Sequence, residues 1–267
     1  MIDQNQKDKV KKRANLRAHL MIELELEKMR IIVIGVILLF SGIIAVITQL
    51  YLPELMEMSG MELANPLEGS MKGVFLDFWG DMVLIGGIIA VFYGMGSFAS
   101  ETGVNKTIHF LLSRPISRKR YFLSRFILKN TIISTIFIVV SLVVYLYGAI
   151  YFEPMNFGSF IMACLLLALM LSGILSVVMM ISSKMSSTST AAIGFGFLVI
   201  QIILSLELFT NAFESLKWIS PVSISSYWMD LVEGDPISGA LLKVITLLLW
   251  IIIPGFLGNL FYSKRDL

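Results

Sequence analysis

Six runs of apolar residues, each close to twenty residues or longer, alternate with polar segments along the chain. They cover 31–52, 82–100, 127–150, 159–181, 191–209 and 241–262. A helix of about 20 apolar residues crosses the hydrocarbon core of a bilayer. A spanning segment must also satisfy its own backbone polar groups, which a helix does. The pattern therefore predicts an all-α polytopic membrane protein with six transmembrane helices over 31–262, a leader at 1–30 and a short tail at 263–267.

The leader is polar and basic. Leu16, Leu20 and Leu24 share a face at helical spacing, with Lys11, Lys12, Arg13 and Arg17 upstream. This spacing predicts an amphipathic helix on the inner membrane surface, where bases meet anionic headgroups. Glu23, Glu25 and Glu27 alternate with Leu24 and Leu26 and read as its solvated face. About thirty residues rich in charge precede the first apolar run, which is not the pattern of a signal peptide. In the second run Gly86, Ala90 and Gly94 recur every fourth residue, a stripe that lets helices approach closely.

Composition sharpens the membrane reading. Charged residues make up 15% of the chain and apolar ones 57%, where soluble chains average about 25% and about 45–50%. Eighteen of the 21 Lys and Arg residues fall in or beside segments on one side of the predicted spans; Lys72, Lys217 and Lys243 do not. Lys and Arg accumulate on the cytoplasmic side, so both termini are expected inside a cell membrane. A formal net charge of +2 gives no reason to expect nucleic-acid binding. Cys164 is the single cysteine, reads as a packing residue, and allows no internal disulfide.

One polar stretch differs from an ordinary loop. Residues 101–120 carry Lys106, Arg114, Arg118, Lys119 and Arg120 around a short apolar cluster of Ile108, Phe110, Leu111 and Leu112. Lipid does not hold so many charges. Pro115 ends the cluster's helix and pushes Arg114 out of the helical region, and Ser117 reads as the cap of the next helix. A surface helix, a break and a basic re-entry form an element suited to docking on something outside the membrane. Glu101 lies close enough in sequence to Arg118 or Arg125 for a charge contact bracing this element against the third span.

The chemistry of an enzyme is missing from this pattern. Gly103-Val104-Asn105-Lys106-Thr107 lacks the spacing of a phosphate-binding loop, and Gly94-x-Gly96 closes a membrane helix instead of following a strand. His19 and His109, the two histidines, lie in polar segments, and Glu207 has no carboxylate partner nearby in its span. Met56, Met58 and Met61 are closely spaced, and thioethers hold Cu(I); an amphipathic outer loop explains them more simply, and no metal site is assigned. Within the spans Ser134, Thr135, Ser141, Ser172, Ser176, Gln201 and Ser205 are isolated polar points without a ladder of charges. Gln201 and Ser205 are the candidates for lining a path, although any one of these points reads more readily as a helix–helix hydrogen bond.

The run Glu101, Lys106-Thr107 and Leu111-Leu112-Ser113-Arg114-Pro115-Ile116-Ser117-Arg118 resembles the pattern of ABC transporter permeases of type two. The six-span plan and Ser220-Pro221 between spans five and six extend the resemblance over nearly the whole chain. It implies that the leader is an elbow helix and that short re-entrant helices lie near Ser220. It implies that 102–113 is a coupling helix, fitting a groove on a separate ATPase through Thr102, Gly103, Lys106, Thr107, Phe110, Leu111, Leu112 and Ser113, with Glu101, Arg114 and Pro115 at its ends. Two permease copies, as homodimer or related pair, would assemble with two ATPase subunits among membrane lipids. This chain would bind no cofactor; ATP and Mg would be used by the ATPase. The function implied is export of an amphipathic or hydrophobic cargo such as a peptide, toxin or antibiotic, with spans two and five lining the route. A relative of the family serves copper-enzyme maturation, so a permease for copper-site maturation or ion extrusion is the alternative within transport. A membrane scaffold or immunity protein without a transport cycle is the alternative outside it.

Overall fold

The computed structural model describes residues 4–59, 69–98, 117–205, 220–234 and 238–264. Among these it has helices and no strands, and six helices are long and apolar enough to cross a membrane. The first, α1 (Gln4–Ser59), is a single helix. The leader is thus not separated from the first span: residues 4–34 contain neither Gly nor Pro, so nothing interrupts the backbone ladder at residue 30. The helix also continues past Pro53. Proline removes one ladder hydrogen bond, which a helix of this length absorbs.

The second span begins at Met71 and not at Met82. It consists of α2 (Met71–Asp81), a π-helical turn (Met82–Gly86) and α3 (Gly87–Met95). Ser70 caps α2 by accepting from the Gly73 amide at 3.2 Å. Val74, Phe75, Phe78 and Trp79 lie on one face of α2 and are fully buried. Lys72, Asp77 and Asp81 dilute the average hydropathy of this segment, which is why it reads as an outer loop in sequence.

Four more elements of spanning length and two short helices complete the bundle. These are α4 (Arg118–Gly148), α5 (Phe157–Ser182), α6 (Ser187–Ser205), the short α7 (Pro221–Ser225) and α8 (Tyr227–Glu233), and α9 (Ser238–Ser263). Helix α5 is the centre: 78% of its apolar window is buried, against 22% for α6 and α9. It packs on α3, α4, α6, α8 and α9. The small-residue stripe of the second span faces it. A Cβ added at Gly86 would lie 2.9 Å from Leu171, and one at Gly94 would lie 2.8 Å from Val178. Larger residues there would push α3 and α5 apart.

Ser220 caps α7, its hydroxyl accepting from the Ser223 amide, and Pro221 occupies the first helical turn, where its missing N–H costs nothing. Every residue of α7 is buried, packed among α5, α6 and α9. Trp228 on α8 is fully buried edge-on to Trp79.

Candidate functional site

The docking stretch itself, with Glu101, Thr102, Gly103, Lys106, Thr107, Phe110, Leu111, Leu112, Ser113, Arg114 and Pro115, lies outside the described residues. Its two flanks are described, and they meet. On the incoming side α3 ends at Met95 and the chain turns through Ser97 and Phe98. On the outgoing side Ser117 precedes α4 with extended backbone angles (φ −67°, ψ 143°). Ser117 stands at the cap position, and its hydroxyl makes no capping hydrogen bond; its carbonyl accepts from the Tyr121 amide at 3.0 Å.

An aromatic cluster holds the flanks together. Phe98 is fully buried and stacks on Phe122 of α4, with ring centroids 4.6 Å apart at 19°. Tyr262 of α9 closes the cluster at 5.1 Å from Phe98. The Arg125 guanidinium lies 5.8 Å from the centroids of both Phe98 and Tyr121 and donates to the Tyr121 hydroxyl at 2.6 Å. Guanidinium over aromatic faces is attractive, more so when water is excluded. Arg118 is half-buried, while Lys119 and Arg120 are exposed. The bracing contact expected of Glu101 with Arg118 or Arg125 involves a residue outside the described set.

Beneath this cluster lies a buried charge pair. Lys129 of α4 and Glu27 of α1 have side chains 1% and 3% exposed, with Nζ 3.3 Å from Oε1. Lys129 also donates to the Tyr93 carbonyl at 2.9 Å and sits 4.2 Å from the centroid of the Tyr93 ring. Glu27 accepts a second cation, Arg30, at 3.1 and 3.2 Å. The acceptor at Tyr93 has a reason. Carbonyls in the last turn of a helix lack intrahelical donors and carry the negative end of its dipole. At the end of α3, Ser97 and Lys129 donate to Tyr93, and Ser182 of α5 donates to Met95 at 3.2 Å. The Ser182 hydroxyl also accepts from the Phe98 amide at 3.0 Å.

Two of these residues escaped the sequence reading. Glu27 does not belong to the solvated face of the leader; it turns inward, while Glu25 is exposed beside Lys28. The signal was Lys129, a base inside the third apolar run with no acid in that run to match it. A charge at membrane depth requires a partner, and the partner comes from another helix.

The polar points of the spans serve mostly as cross-links between α4 and its neighbours. Ser134 and Ser172 are 2.7 Å apart, Ser176 donates to Asn130 at 3.2 Å, and the Trp79 indole donates to Ser141 at 3.4 Å. Gln201 is buried on α6; its backbone carbonyl accepts from Ser220 at 3.4 Å. Ser205 donates to the Ile202 carbonyl of its own helix. Met58 is exposed on α1, Met56 half-buried, and Met61 outside the described residues. Cys164 is buried in the core.

Comparison with known proteins gives the family. None of the curated proteins compared with the chain matches it. A family model described as ABC-2 family transporter protein matches residues 25–267, which takes in every span, both flanks of the docking stretch and the buried pair. The chain belongs to the ABC-2 transporter family, as a multi-pass permease subunit that works with an ABC ATPase.

Proposed function

We propose that this permease is the membrane half of an exporter, moving an amphipathic or hydrophobic cargo (a peptide, toxin or antibiotic) outward across the cell membrane. Two copies work with two separate ATPase subunits, which bind and hydrolyse Mg-ATP on the inner face, where both termini lie. The ATPase docks on the helix at 102–113. Its closure moves that helix as a lever and shifts the spans between inward- and outward-facing states, with α2–α3 and α6 along the route.

The observation that carries this reading is the clasped base of the docking stretch. Phe98 and Phe122, one on each flank, are stacked and buried. A lever transmits force only when its ends are fixed to the spans it must move. The cargo class is supported by the polar inventory: among the described residues Ser134, Ser141 and Ser176 are engaged in helix–helix hydrogen bonds. A lining left so sparsely polar suits an apolar or amphipathic molecule better than an ion.

Purification in mild detergent followed by mass analysis tests the reading. A stoichiometric ATPase is expected with the wild-type protein and is expected to be lost in Leu111→Asp with Leu112→Asp. A wild-type protein that comes through without any ATPase would sink it.

A further inference from the structure

Among the described residues, Glu27 and Lys129 are the only acidic or basic side chains that are buried. Their placement is specific. Glu27 belongs to α1, Lys129 lies eleven residues into α4, and Tyr93 lies two residues before the end of α3. The two helices that bracket the docking stretch are thus joined to each other by the Lys129–Tyr93 hydrogen bond and to α1 by the ion pair. A neutral, well-packed contact of the same volume often stabilises as well as a buried ion pair or better. Stability alone is therefore a weak account of why charges sit here. What a buried pair adds is direction and exclusivity: among the described residues the ammonium has no second carboxylate within reach to exchange with, so α1 must follow α3 and α4 or break the pair.

We infer that Glu27 and Lys129 are positioning residues that clamp α1 to the base of the docking stretch, so that its displacement is passed on to the first span. The inference rests on the exporter reading above. Arg30, more than half exposed, donates to both oxygens of Glu27, sharing Oε1 with Lys129, and so helps to fix the carboxylate. The Tyr93 ring covers the ammonium from another side. The clamp joins three helices at one point, at the end of the bundle where the ATPase docks.

The test is hydrogen–deuterium exchange on the permease–ATPase complex in lipid nanodiscs, without nucleotide and with vanadate-trapped Mg-ATP. Segments 21–34 of α1 and 117–128 of α4 are followed. In the wild type, nucleotide is expected to change exchange in both. In Glu27→Gln with Lys129→Met, which removes both charges and leaves neither stranded, the response at 117–128 is expected to persist while that at 21–34 is lost. Ser134→Ala, which removes another interhelical contact, is expected to keep both. A purely structural role would raise exchange equally with and without nucleotide and leave the difference intact. An undiminished α1 response in the folded double variant would overturn the clamp alone. A wild-type complex with no nucleotide response at 117–128 would overturn the exporter reading and the clamp with it.

Discussion

The two ends of the bundle are held together by different physics. At the end that carries the docking stretch, a buried Glu27–Lys129 pair and a guanidinium packed on aromatic rings join α1, α3 and α4. At the other end the fully buried polar groups are neutral. Gln49 is buried between α1 and α2, donating to Asp77 at 2.6 Å and accepting from the Gly69 amide at 2.8 Å. Next to it Phe75, Trp79, Tyr145, Phe160 and Trp228 form one aromatic nest, with Trp79 and Phe75 centroids 4.4 Å apart. Aromatic packing is short-ranged and tolerates small slides, whereas a desolvated ion pair does not tolerate loss of one member. If the clamp proposed above holds, the charged end moves as a unit and the aromatic end stays packed while it does.

Three changes probe that contrast. Lys129→Met by itself strands the Glu27 carboxylate and should cost about 3–5 kcal/mol, most of it recovered by adding Glu27→Gln. Denaturation by graded SDS in mild detergent measures this, and equal losses in the single and double variants would erase the distinction between the two ends. At the aromatic end Trp79→Ala should cost about 3 kcal/mol as a cavity opens beside Phe75 and Trp228. A conservative Trp79→Phe should recover most of that, since no charge is involved. The smallest effect expected is Gln49→Leu, about 1 kcal/mol in the same assay, because Asp77 is exposed and regains water when its partner is removed. A loss as large as that of Lys129→Met would mean that the far end also depends on a polar latch.

Much of this arrangement was legible in the chain. The six apolar runs predict six spans, the stripe Gly86, Ala90, Gly94 predicts a close helix contact, and the family resemblance implies short helices near Ser220-Pro221. Met71 as the beginning of the second span was not legible, because the buried face of α2 alternates with Lys72, Asp77 and Asp81 and its average hydropathy falls. The burial of Trp228 was hidden in the same way: a tryptophan suits a membrane interface and a packed core equally well by composition.

Span number and the asymmetry of Lys and Arg follow from the sequence by itself, since each depends on residues close together in the chain and on the solvent they prefer. The buried pair, the Phe98–Phe122 stack and the capping of α3 by Lys129 and Ser182 were decided by the tertiary structure alone. Glu27 and Lys129 are far apart in sequence, and a carboxylate in an amphipathic leader is stable in water or against an ammonium. Which of the two it meets depends on how α1 and α4 cross, and no local pattern encodes that crossing.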